Sequence, residues 1–221
     1  AMASGVRVVF YKAWAFALSG FLVTQSFLAR RDLRAFVAAR ILRIYPALIA
    51  ATLFTVALAG LASTLPPADY LGDAQTRRFL WQTASGYAGT GQLPGAFLRN
   101  PYPGAVNGSL WTLPIELRLY AIVALAGVLG VLADRRAAAI AAAVLCALLV
   151  HAPGPLAPLF DGITHRSLLL IFLGGALAYA WRDAIVLSLA AAAVAVVLYV
   201  VLPQGFARAA LTLPIVVYAV L

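Results

Sequence analysis

Apolar residues run along this chain in long blocks separated by short polar breaks. The first block covers about Val6–Leu28, with Arg7 and Lys12 near its start. The second covers about Ile44–Ala62 and stops before Pro66-Pro67. A longer stretch without a block, Ser63–Leu110, comes next. The third block covers about Thr112–Ala133, the fourth about Ala137–Val150, the fifth about Ser167–Trp181 and the sixth about Ala184–Leu202. A seventh begins near Ala209. A membrane-crossing helix needs about 20 mostly apolar residues. The blocks therefore predict an all-α fold, a polytopic transmembrane helix bundle with six or seven spans. The fourth and fifth are short and must borrow flanking residues or sit inside the bundle. The seventh is cut off at Leu221, which predicts a chain that continues, since lipid offers bare carbonyls no partner. One membrane domain over 1–221 is expected, with an extracytoplasmic loop at about 63–110.

Ahead of the second block, Leu33, Phe36, Val37, Ile41 and Ile44 recur at helical spacing. That pattern predicts an amphipathic helix leading into the span. Pro46, just inside the block, is expected to loosen the helix there.

Composition agrees with the blocks. The chain is 64% hydrophobic and 10% charged, against about 25% charge in soluble domains. Its 16 Lys and Arg outnumber 7 Asp and Glu, for a net charge of +9. The basic residues flank the blocks, so they report orientation rather than nucleic acid binding. Arg30, Arg31, Arg34, Arg40, Arg43, Arg135, Arg136 and Arg182 fall on one side, in short connections. That side is expected to be cytoplasmic, which turns Ser63–Leu110 outward. Trp14, Trp81 and Trp181 read as interfacial anchors. The single cysteine, Cys146, excludes an internal disulfide, and the sparse His, Cys and acidic residues predict no metal site. Ala1–Ser4 is too short to be the basic start of a secretion signal.

Chemistry concentrates in Asn107-Gly108-Ser109-Leu110-Trp111-Thr112-Leu113-Pro114-Ile115-Glu116. Thr112 suits an N-cap and Pro114 the first helical turn. Glu116 then enters the third span where the helix dipole favours an anion, and Tyr120 follows on the same face. A carboxylate in a membrane span costs about 2.5–3.5 kcal/mol even on lenient scales, which makes it a functional candidate. Its bland alternative is an interfacial acid paired with Lys12 or Arg99. On the other side, Arg40 and Arg43 are three apart and share a helix face. Two guanidiniums so placed suit a diphosphate, or simply lipid headgroups. Ser19-Gly20-Phe21-Leu22 reads as close helix packing. His151 and His165, with Asp161 four before the latter, rank lower because Pro153, Pro155 and Pro158 interrupt the segment. Asn107-Gly108-Ser109 also matches a glycosylation sequon, an accidental match at a span edge.

Three pieces in this order resemble the acyltransferase 3 family. They are Ser19-Gly20-Phe21-Leu22-Val23-Thr24, the basic run ending Arg40-x-x-Arg43-Ile44-x-Pro46, and Asn107 to Glu116 with Tyr120. The resemblance implies a multi-pass enzyme of the bacterial inner membrane. Such an enzyme moves an acyl group, commonly acetyl from acetyl-CoA, to a hydroxyl of a carbohydrate, glycolipid or similar extracytoplasmic acceptor. Carried over by position, Arg40 and Arg43 hold the acyl-CoA, with no other cofactor implied. Glu116 and Tyr120 are the catalytic candidates, and Asn107, Ser109 and Trp111 the acceptor-side candidates. Family members usually begin with a span carrying a basic residue and an essential histidine, which nothing before Val6 supplies. The chain is thus expected to represent the second to about the eighth span and to be inactive alone. A transporter or flippase of a polar lipid or sugar, and a structural membrane subunit, remain open as alternatives. The loop over Ser63–Leu110 shows few distinctive groups, so the acceptor stays unnamed. Glu116 is expected at the opposite depth of the membrane from Arg40 and Arg43.

Overall fold

The computed structural model describes residues 2–88, 91–99, 106–151, 162–185 and 188–201. Among these, the regular elements are helices, joined by two isolated antiparallel bridges. In chain order they are α1 (Met2–Arg30), α2 (Leu33–Leu61), α3 (Pro67–Gly72), α4 (Ala74–Ala84), α5 (Leu113–Val128), α6 (Arg135–His151), α7 (Gly162–Ala180) and α8 (Leu189–Val201). The first six apolar blocks each correspond to one helix; the seventh lies outside the described residues. By length and composition, Leu33–Leu61 and Leu110–Val128 can cross a membrane, and His165–Ala180 is a shorter apolar helix.

The chain divides into two compact units. One comprises Ala1–Leu33 with Leu119–Leu221, the other Arg34–Arg118. In the first, α1 packs along α7 through small residues. A Cβ on Gly20 would collide with the Phe172 carbonyl oxygen, and one on Gly175 with that of Ala17. The two glycines thus form a reciprocal crossing at backbone contact, as small residues permit between apolar helices. Phe16, Ala17, Phe21, Leu168 and Phe172 are buried around it. The ring of Phe21 meets Tyr179 edge-on at 5.2 Å. Gly127 of α5 leaves room for the Phe27 ring. The Ser19–Thr24 motif is therefore packed, with Gly20, Phe21, Val23 and Thr24 all buried.

The second unit is built on α2, which runs unbroken through Pro46 for about 43 Å at 1.5 Å per residue. Pro46 neither breaks nor ends it. Of the apolar stripe before the second block, Phe36 is buried, but Leu33, Val37 and Ile41 are exposed. Leu42, Ile49, Leu53, Phe54, Leu58 and Leu61 are exposed as well. Apolar side chains round most of a long helix are what lipid, rather than a protein core, would cover.

The segment after α2 is folded. Pro66-Pro67 starts α3, and Asp73 caps α4 by accepting the Gln75 amide at 2.7 Å. The Ser63 hydroxyl donates to the Pro94 carbonyl at 2.8 Å, and the Thr64 amide donates to that of Gly95 at 3.1 Å. Beneath lies a core of Val56, Ala59, Tyr70, Phe79, Leu93, Ala96 and Val106. Tyr70 anchors it: its hydroxyl donates to the Val56 carbonyl at 2.9 Å, and its ring lies against Gly60. Burial pushes its phenol above the ordinary tyrosine value, so it stays a neutral donor. Tyr70→Phe is expected to lower stability by about 1 kcal/mol, and Tyr70→Ala by about 3 kcal/mol or more. Thermal unfolding of the detergent-solubilised protein measures both.

Candidate functional site

Asn107 begins the site with a left-handed backbone, φ 51°, a conformation that asparagine tolerates better than most residues. Its side-chain amide donates to the Thr55 hydroxyl of α2 at 3.2 Å. That bond ties the start of the motif to the long helix, so Asn107 positions the turn. A 3-10 turn over Gly108–Thr112 follows and leads directly into α5. Pro114 is the second residue of α5, where its missing N–H leaves no helical bond unmade. Thr112 and Ile115 are buried beneath the turn, while Trp111 and Glu116 are half-buried. Glu116 lies in the first turn of α5, and the half-buried Tyr120 one turn further on. Ser109 belongs to the 3-10 turn; its side chain lies outside the described set.

Arg40 and Arg43 stand on α2, in the same unit. The Arg40 guanidinium lies over the Phe36 ring, 5.3 Å from its centroid, a stacking that restrains its direction. Arg43 is exposed. The two arginines thus differ, one half-buried and braced, one free to swing toward an anion.

The stretch after α2 turns back along it. Tyr70 packs at the level of Val56, and α4 then runs to Ser85, whose carbonyl accepts the Tyr45 hydroxyl at 3.1 Å. Tyr45 is two residues beyond Arg43. Next in the chain, Gly86 has a left-handed φ of 73°. A Cβ there would collide with Leu117 and stand 3.9 Å from Leu48. Gly86 thus lies close both to Leu117, the neighbour of Glu116, and to Leu48 of α2, five residues past Arg43. Those five residues are about 7.5 Å of helical rise. The return of α4, held by the Tyr45–Ser85 hydrogen bond, is invisible to hydropathy because α4 is polar.

The structure also gathers residues the sequence reading left apart. Gln75, Arg78, Gln82 and Gln92 line an open cleft of about 490 Å3 beside Phe79, Thr83 and Gly91. Spacings of three and seven along α4 were the available signal. In the other unit, Arg31, Arg135 and Arg182 line a polar cavity of about 570 Å3 with Asp134 and Asp183. The Arg182 guanidinium there lies 4.3 Å from the Tyr179 ring centroid and donates to the Tyr179 carbonyl at 3.0 Å. Of the histidines, His165 is half-buried in α7, and Asp161 and the His151 side chain lie outside the described residues. Trp14 packs edge-on against Tyr199 at 5.9 Å, Trp81 is exposed, and Trp181 carries the Arg135 guanidinium at 5.2 Å.

Comparison with known proteins bears on the same residues. The model of the acyltransferase 3 family, described as an acyltransferase domain, matches residues 16–221. An O-acetyl transferase of Shigella phage Sf6 is 28% identical over 124 residues. That alignment covers 56% of this chain and 35% of the phage protein, so the chain spans about a third of that relative. No solved structure matches.

Proposed function

Because the chain belongs to the acyltransferase 3 family, we propose that the full protein is a multi-pass enzyme of the bacterial inner membrane, an O-acyltransferase. It moves acetyl from cytoplasmic acetyl-CoA to a hydroxyl of an extracytoplasmic carbohydrate or glycolipid. The chain forms one membrane domain in that protein, and its exposed apolar helix faces are covered by lipid. The donor's phosphates bind Arg40 and Arg43. In the transfer, the acceptor oxygen attacks the thioester carbonyl and gives up its proton. The C–S bond breaks, and CoA leaves as a thiolate that takes up a proton. A histidine serves as the general base on the acceptor hydroxyl. Glu116 orients that imidazole or the hydroxyl, with Tyr120 beside it on α5, and Ser109 and Trp111 flank the acceptor.

The observation that carries this reading is the hydrogen bond from Asn107 to Thr55, within the unit that also holds Arg40 and Arg43. One helix thus bears the proposed donor site and anchors the turn that leads to Glu116. The test is an assay of the full-length protein in nanodiscs for acceptor-dependent release of free CoA. Arg43→Ala is expected to raise KM for acetyl-CoA by about 10- to 100-fold, the loss of one charge-assisted hydrogen bond, with a smaller change in kcat. Wild-type protein that consumes no thioester, yet moves a labelled sugar lipid across vesicles, would establish the transporter reading instead.

A further inference from the structure

Glutamine is scarce in this chain: Gln25, Gln75, Gln82, Gln92 and Gln204 are all it has. Three of the five line the single cleft beside α4, with Arg78 and Thr83 among them. Gln75 and Gln82 project from α4 two helical turns apart, and Arg78 lies between them on the same face. Gln92 closes the opposite wall, where its backbone carbonyl accepts the Gln75 side-chain amide at 3.1 Å. Phe79 supplies an apolar patch, and among the described residues no acidic one is part of the lining.

We infer that this cleft is the docking subsite for the acceptor, and that it selects a polyhydroxylated ligand, neutral or with a single negative charge. This rests on the acyltransferase reading above and assigns the acceptor its own place. A primary amide donates and accepts at once, so a row of them matches hydroxyls, which also do both. A nucleotide diphosphate would call for several cations, and the described lining holds one, Arg78. A volume near 490 Å3 falls within the range of small-molecule sites, about 300–1,000 Å3.

The cleft is also joined to the reactive motif. Gly91, on its wall, forms an antiparallel bridge with Val106, and Val106 immediately precedes Asn107. At its other end α4 runs into Ser85 and Gly86, where Leu117 packs. Both ends of the cleft thus connect to the segment that carries Glu116. A ligand along α4 has a covalent and hydrogen-bonded frame leading from it to the acid.

The experiment uses the full-length protein in detergent on an array of neutral and acidic oligosaccharides, followed by acceptor kinetics with any glycan retained. Wild type is expected to retain at least one glycan class. Gln75→Ala/Gln82→Ala should weaken that retention at least tenfold and raise acceptor KM in step, leaving KM for acetyl-CoA unchanged. Gln92→Ala, on the other wall, should weaken it too and serves if the double variant folds poorly. Arg78→Ala should weaken acidic glycans selectively. Wild-type retention in both wall variants overturns the inference, as does an active transferase that retains no glycan. Glycan retention lost in the wall variants, in a protein that never releases CoA, would uphold the cleft and overturn the acyltransferase reading.

Discussion

Replacing Glu116 by glutamine in the full-length protein is expected to reduce acetyl transfer by up to about 10⁴-fold, the loss that follows when the carboxylate orienting a catalytic imidazole is neutralised. Gln keeps the size of the side chain and loses the charge. The half-buried position in the first turn of α5 places that charge where the helix dipole favours it by about 0.3–1 kcal/mol, a small loss beside the effect on rate. Unfolding temperature should stay close to wild type while kcat collapses and KM for acetyl-CoA holds. Glu116→Asp, which keeps the charge on a shorter stem, should recover part of the rate. Near-normal turnover of Glu116→Gln would remove the carboxylate from the mechanism and leave it a structural acid.

The largest effect on stability is expected at the helix crossing. Gly175→Val should destabilise the α1–α7 pair by at least the 1–3 kcal/mol typical of overpacking. Here the obstacle is the Ala17 carbonyl, a backbone group that cannot turn aside as a side chain can. Gly20→Val should do the same from the other helix, against Phe172. Because both residues serve one contact, the double variant should cost less than the sum of the singles. Gly72→Ala is the control, since nothing lies within 4 Å of a Cβ there. Thermal unfolding in detergent and yield from membranes measure all four. A Gly175→Val protein as stable as the Gly72 control would mean that α1 and α7 do not meet at this crossing.

Much of the helical content could be read from the chain alone. Six apolar blocks correspond to six helices, because runs rich in Leu, Ala and Val and too long for strands favour the helix. The family was legible too, from short motifs whose order is fixed by the covalent chain. The Arg40–Arg43 pair and Glu116 could be singled out because charge is costly among apolar residues. The fold of the stretch 63–110 was not legible, for a physical reason. Hydropathy follows how residues partition between water and lipid, and it treats a polar stretch such as 63–110 as outside. It carries no information about a polar helix held against another by Tyr45 and Ser85, or about Tyr70 filling the space beside Gly60.

The sequence by itself determined the helices, their order, the basic asymmetry and the chemical identity of the candidate groups. These are local properties, fixed by each residue's transfer energy and its neighbours in the chain. Only the tertiary structure decided which groups meet. Asn107 is committed to Thr55, 52 positions away, and Gly20 faces α7 rather than open lipid. Gly86 lies close to both Leu117 and Leu48, and three glutamines without a common motif share one cleft. Each of these depends on a contact between distant segments, and contact of that kind is set by packing and hydrogen-bond satisfaction after the helices have formed.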